Sequence, residues 1–295
     1  MKLAKIVKQC RIDKPRRFRL ADYDPAERFG LSTDVKVVRP ILAEGVARIA
    51  ELQQRLFAHG EWAVLIVLQG MDAAGKDGVI KHVMSGINPQ GCNVYAFKAP
   101  SAEDLSHDFL WRTDKDVPER GRIGIFNRSH YEEVLIVRVH PDMLKREKLP
   151  PHTTGKNFWN NRFKDIRAFE RRLTRNGTLV LKFHLHISKE EQRQRFLARL
   201  DEPFKRWKFS LNDIAERARW DDYMAAYQEM IRETSTNYAP WYVVPSDHKH
   251  VAWVVVSAAI CEALENLKLD YPKVTGKALE ELKACERALK AEGRR

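Results

Sequence analysis

The chain is apolar without a break from Trp62 to Leu68, the pattern of a strand buried on both faces of a parallel sheet. Shorter apolar, β-branched and aromatic runs predict further strands at 93–98, 123–126, 178–187 and Trp241–Pro245. Between them the period lengthens. Leu42, Val46, Ile49, Leu52 and Leu56 recur at three and four residues and predict a helix over 41–59. The same reasoning predicts helices at 78–85, 102–111, 157–173, 190–200, 211–233 and 250–267. Strands alternating with helices point to an α/β fold of three layers, α/β/α, around a central parallel sheet. Residues 1–40 are basic and punctuated by Pro15, Pro25 and Pro40, which predicts an extended arm lying outside the sheet. The main domain is then 41–270, and 271–295 reads as a charged helix or tail. No internal repeat or low-complexity segment stands out.

Composition narrows the setting. With 295 residues, 44% of them hydrophobic, the chain can bury a sizeable core. The four cysteines, Cys10, Cys92, Cys261 and Cys285, have no paired spacing, so neither a disulfide framework nor a zinc site is indicated and a reducing compartment is expected. The basic N-terminus has no apolar core of signal-peptide length. The longest apolar run elsewhere, 251–260, is too short to span a bilayer. The expectation is a cytoplasmic protein with no membrane partner. A formal charge of +12 gathers polyanions, and nucleic acid, anionic lipid and polyphosphate all qualify on charge alone.

The first strand leads directly into Gly70-Met-Asp-Ala-Ala-Gly75-Lys76-Asp77. This satisfies Gly-x4-Gly-Lys but carries Asp77 where the common phosphate loop has Ser or Thr. The strand before it and the helix after it are the context that such a loop requires. Glycines let the backbone turn its N–H groups inward. With the helix N-terminus and Lys76 they would cradle phosphate oxygens at Gly70, Ala73, Ala74, Gly75, Lys76, Asp77 and Gly78. A carboxylate inside such a loop repels phosphate unless a cation reverses the sign. Asp72 and Asp77 are therefore candidate holders of Mg²⁺; for Asp77, an acid complementing the helix dipole is the alternative.

A second motif, Phe126-Asn127-Arg128-Ser129-His130-Tyr131-Glu132-Glu133, follows the 123–126 strand, where α/β sheets bind ligands. Here the chain resembles the polyphosphate kinase 2 family. The resemblance rests on 70–78 (GMDAAGKDG), 85–91 (SGINPQG), 97–100 (FKAP), 107–112 (HDFLWR) and 126–131 (FNRSHY). It continues through 206–210 (RWKFS), 239–241 (APW) and 246–249 (SDHK). It spans roughly 41–267. It implies a P-loop kinase fold, related in architecture to thymidylate kinase, with a helical lid. The implied activity is reversible phosphoryl transfer between polyphosphate and AMP or ADP, giving ADP or ATP, with Mg²⁺ (Mn²⁺ as a substitute). It further implies catalytic roles for Asp72 and Lys76, a phosphate contact for Arg128, and a homo-oligomer, dimer or tetramer. The family commonly has Asp where this chain has Asn127. Asn127 with Glu132 resembles the subgroup that accepts both AMP and ADP.

The lid expected over about 190–220 is basic: Arg193, Arg195, Arg199, Lys205, Arg206, Lys208, Arg217 and Arg219 flank a break at Pro203-Phe204. Guanidinium groups closing on a transferring phosphoryl group stabilise its dispersed charge. Lys98 and Arg112 could extend the same basic channel along a polyanion, with Arg193, Arg199, Lys205 and Lys208 as lid contacts. A solvated helix face with pairs such as Glu191–Arg195 is the plainer reading. Ser188 with Glu191 has capping-box spacing. His184 and His186 share a strand face and are expected to be buried, with metal binding the lesser reading; Trp220, Tyr223 and Tyr227 are expected in the core. The rival functions are an ATP-dependent nucleotide or small-molecule kinase and a nucleic-acid-binding ATPase. No zinc finger or RNA-recognition signature supports the latter.

Overall fold

Ala63–Gln69 (β1) is buried along its whole length and lies at the centre of the sheet. In the computed structural model, which describes residues 3–292, four more strands flank it. These are Cys92–Ala96 (β2), Ile123–Asn127 (β3), Thr178–His186 (β4) and Trp241–Pro245 (β5), in the order β2-β3-β1-β4-β5. Every pairing between these strands is parallel. The chain builds β2 and β3 on one side of β1 and then crosses to build β4 and β5 on the other. The carboxyl end of β1 is thus the switch point at which such sheets bind ligands.

The helices are Leu3–Cys10 (α1), Val35–His59 (α2), Lys76–Val83 (α3), Trp111–Asp114 (α4), Ile136–Val139 (α5) and Phe158–Arg175 (α6). Lys189–Asp201 (α7), Leu211–Ala218 (α8), Trp220–Thr234 (α9), Lys249–Asn266 (α10) and Gly276–Glu292 (α11) follow. α1, α2, α3 and α10 pack together as one layer, and α5, α6 and α9 as the other, which completes the expected three layers. Among the described residues no helix is long and apolar enough to cross a membrane.

Four local expectations are corrected. The arm is not extended throughout: Leu3–Cys10 is helical and buries Ile6, Val7 and Cys10. The arm also joins the sheet, since Arg11 bridges Tyr242 antiparallel and the Ile12 N–H donates to Trp241 O at 2.9 Å. Pro40 does not keep the chain extended either. α2 starts at Val35, capped by Asp34, whose side chain accepts from Lys36 N at 2.8 Å. Proline inside a helix costs roughly 3 kcal/mol. Burial of Val38 and Leu42 on either side contributes about 1.5–3 kcal/mol each, enough to offset it.

The helix expected at 102–111 is a single 3₁₀ turn, Asp104–Ser106, followed later by one turn of α4. Ser101 and Asp104 exchange side-chain and backbone bonds, and Asp108 accepts from Leu110 N at 2.9 Å. These local bonds compete with the helical ladder. The helix expected at 211–233 breaks at Arg219, whose side chain bonds Asp222 and Val139 O. α9 beyond the break is buried at Trp220, Tyr223 and Tyr227, whereas α8 before it buries nothing.

Candidate active site

β1 ends at Gln69, and the chain turns at Gly70 with φ +156°. A Cβ there would stand 2.7 Å from Leu185 O of β4, so only glycine lets the loop pass this close to the sheet. Ala73 takes a left-handed φ of +62° and Gly75 one of +108°, after which α3 begins at Lys76. The Lys76 ammonium is buried and folds back over the loop, donating to Gly70 O at 2.6 Å and Met71 O at 3.2 Å. Gly78 lies one turn into α3, where an added Cβ would meet Trp253.

The loop is braced from α7. Gln192 Nε2 donates to Asp72 O at 3.0 Å, and Arg195 Nη1 donates to Ala73 O at 2.9 Å and Ala74 O at 3.2 Å. The same guanidinium bonds Ser246 O, Asp247 O and the Glu191 carboxylate. Three successive loop carbonyls are thus drawn outward by one helix face. Sequence reasoning paired Arg195 with Glu191, as found at 2.8 Å, but missed that Arg195 is buried and holds the loop. The signal was present: Gln192 and Arg195 are three apart and so share a face of α7. The capping box at Ser188 is only half made. Ser188 Oγ accepts from Glu191 N at 3.1 Å, but the Glu191 carboxylate is engaged by Arg195 and the Ser188 N–H donates instead to Asp247 Oδ1 at 2.8 Å.

The carboxyl end of β3 supplies the other wall. The parallel register pairs Leu68 with Asn127, which brings Asn127 and Arg128 beside the loop. Arg128 takes a left-handed φ of +63°, its N–H donates to Leu68 O at 3.0 Å, and its Nη2 donates to Asp72 Oδ1 at 2.6 Å. Its Nη1 lies 3.9 Å from Glu132 Oε2. Asn127 Nδ2 donates to Asp77 Oδ1 at 2.8 Å. Each acid of the loop is therefore met by a residue of the β3 end.

The charges act on one another. Burial, and next to it the Arg128 guanidinium, lower the Lys76 ammonium to about 8. Burial alone would pull the Arg128 guanidinium down, but Glu132 and Asp72 hold it above its ordinary value. Within the loop it is the Lys76 ammonium that is shifted toward neutrality.

Of the other predicted residues, Lys98 and Arg112 meet beyond β2: Arg112 Nη1 donates to Lys98 O at 2.8 Å and its guanidinium lies over Phe97. Three of the lid cations hold local contacts. Arg193 pairs with Glu190 at 2.7 Å and Lys205 with Glu202 at 2.6 Å, both exposed, while Arg199 lies over the Phe196 ring. The Lys208 side chain falls outside the described residues. His184 and His186 are buried, and burial pushes both imidazoles below their ordinary value. Among the described residues no three His, Cys, Asp or Glu side chains converge on a metal position. The carboxylates of Asp72 and Asp77 nonetheless fit a hard cation: Mg²⁺ is commonly held by one or two carboxylates together with substrate phosphates and water.

Residues 33–272 match the family model described as Polyphosphate kinase 2 (PPK2). The ADP-polyphosphate phosphotransferase of Rhodopseudomonas palustris is 58% identical over 243 residues, covering 82% of this chain and 84% of the relative. The AMP/ADP-polyphosphate phosphotransferase of Meiothermus ruber is 45% identical over 267 residues, 90% of this chain and 96% of the relative. The crystal structure of polyphosphate kinase 2 from Arthrobacter aurescens TC1 superposes with a TM-score of 0.86 at 42% identity, covering 99% of this chain and 97% of that one.

Proposed function

The chain belongs to the polyphosphate kinase 2 family, and from that premise we propose that it transfers a phosphoryl group reversibly between inorganic polyphosphate and AMP or ADP, forming ADP or ATP. The observation that carries the residue roles is the 2.6 Å contact of Arg128 with Asp72 beside the buried Lys76. It supports a reading in which Lys76 and Arg128 act as two fixed cations and Asp72 as a positioning acid at the switch point of the sheet. Lys76 and Arg128 stabilise the charge that spreads over the transferring group's oxygens. The acceptor's terminal phosphate has a second pKa near ~6, so it is already ionised and no side chain has to remove a proton. Asp72 therefore acts by holding Arg128 and a cation in place rather than as a base.

We assign Mg²⁺, with Mn²⁺ as a substitute, to the oxygen ligands of Asp72 and Asp77; when bound it would neutralise phosphate charge. Asn127 and Glu132 border the acceptor phosphate in this reading. Asn127 donates to Asp77 where an aspartate would repel it. Lys98, Arg112, Arg193, Arg199, Lys205 and Lys208 serve the polyphosphate chain. The four cysteines are free, which suits the reducing cytoplasm.

The test incubates the protein with Mg²⁺, polyphosphate and either AMP or ADP and resolves the nucleotides formed. ADP or ATP should appear with no ATP added; if no product forms, the reading fails. In the same assay Asp72→Asn should raise the Mg²⁺ concentration needed for half-maximal rate. An unchanged Mg²⁺ requirement would remove Asp72 from the cation site.

A further inference from the structure

Beneath the turn that carries Arg128 lies a charged pair with no solvent exposure. Lys182 of β4 donates to Glu170 Oε2 of α6 at 2.7 Å, and both side chains are fully buried. Burying two charges costs several kcal/mol per ion before their attraction is counted, and a well-packed apolar pair often matches or exceeds the stability of a buried ion pair. Stability alone is thus a weak reason for this pair.

The third member of the cluster is Tyr131. Its hydroxyl donates to Glu170 Oε1 at 2.5 Å and accepts from Lys182 Nζ at 2.9 Å. Its ring packs edge-on to Trp241 with centroids 4.9 Å apart. Lys182 also donates to Thr234 O at 2.8 Å, and Thr234 Oγ1 accepts from Trp241 Nε1 at 2.8 Å. One buried group of polar contacts thereby ties together β4, α6, the end of α9, the start of β5 and the turn after β3.

That turn needs tying. Arg128 sits in a left-handed conformation that costs a non-glycine residue on the order of 1 kcal/mol and persists only where the surroundings impose it. Its entry is fixed by the β3 pairing and by the Arg128 N–H bond to Leu68 O. Ser129 Oγ accepts from Gln69 Nε2 at 3.1 Å and Tyr131 N at 3.2 Å. The exit is fixed by Tyr131, three residues beyond Arg128 and fastened at its hydroxyl to both charges.

We propose that Tyr131, Glu170 and Lys182 form a positioning unit for Arg128: they hold the exit of the β3 turn so that its guanidinium stands against Asp72 and the transferring phosphate. The unit touches no substrate and acts only through Arg128, so the inference rests on the phosphate role given to Arg128 above.

The experiment is a double-mutant cycle with Arg128→Lys, which keeps the charge but loses the fork. Tyr131→Phe removes one hydroxyl and leaves the ion pair. Glu170→Gln combined with Lys182→Met removes both charges at similar volume and serves where Tyr131→Phe fails to fold. Each is made in the wild type and in Arg128→Lys, with near-ultraviolet circular dichroism to establish the fold. In the wild-type background either change should lower kcat about 10-fold, the scale of a misplaced catalytic group, with KM for polyphosphate within about 2-fold. In Arg128→Lys the same change should move kcat by less than about 2-fold. An equal loss in both backgrounds, or full turnover in a folded variant, overturns the inference while leaving Arg128 in its role. Wild-type turnover in Arg128→Lys itself would instead overturn the role of Arg128, and the unit with it.

Discussion

The phosphate loop with the β3 end and the lid of α7 and α8 are both rich in cations, but they hold them in opposite ways. Lys76 is buried against loop carbonyls, and Arg128 is locked to Asp72 and to the backbone of β1. Arg193 and Lys205 are exposed and paired with acids three residues away in sequence. An exposed pair of that kind is worth about 0.2–1 kcal/mol, so an arriving polyanion can take either cation at little cost. In the proposed function the loop cations need no rearrangement when charge develops, and the lid cations are recruited by the polyanion. The same residue types therefore serve as fixed machinery in one region and as an adaptable surface in the other. Arg195 and Gln192 are where the two meet, since they stand on a lid helix yet belong to the fixed part.

The sharpest break of this comparison is kinetic. Lys76→Ala and Arg128→Ala should each lower kcat about 10³-fold, the scale of losing a preorganised charge at a phosphoryl-transfer site. Steady-state rates with ADP and polyphosphate measure it, and turnover near wild type in either variant would end the claim that the loop cations are the fixed machinery.

A second, smaller effect is a pH dependence. With Lys76 held near about 8 by burial, its charge is present below that pH and lost above it. kcat/KM, which reports the free enzyme, should therefore fall about tenfold per pH unit beyond an apparent pKa near 8. Lys76→Arg should abolish that limb. Stability runs the other way. The folded value lies below the unfolded one, so the unfolded chain binds more protons between the two, and this group's contribution to stability increases as pH rises through that window. Thermal midpoints at each pH separate the two effects.

The smallest effects should come from the lid. Arg193→Gln or Lys205→Gln should raise KM for polyphosphate by about 2–5-fold with kcat little changed, since an exposed cation contributes on the order of 1 kcal/mol or less. The wild-type KM should climb with salt as counterion release predicts for a polyanion, and each lid variant should flatten that slope. A lid variant that loses kcat as heavily as Lys76→Ala would erase the distinction between the regions.

What could be read from the chain follows the range over which its causes act. The strands were legible because a run such as Ala63–Gln69 carries its burial in its own residue types, and the loop because its glycines sit at fixed spacing between a strand and a helix. The pairing of Asn127 with Asp77 was not legible, because it depends on the register of β3 against β1. The loop contacts of Arg195 were not legible for a related reason: its neighbour Glu191 accounts for it locally, and its buried partners lie 51, 52, 121 and 122 residues away. The helix missed at Leu3–Cys10 buries its apolar face against α10 and β5, elements from the far end of the chain.

The contact of Arg11 and Ile12 with β5 has a consequence for the protein's life in a crowded solution. β5 is an outer strand of the sheet, and an uncovered outer strand offers its row of N–H and C=O groups to any other extended chain, which makes it a template for aggregation. The arm occupies Trp241 O and the flank of Tyr242, and α1 covers the ground beside them. It lies ahead of the residues 33–272 that match the family, so this colloidal guard is supplied from outside the kinase core that it protects.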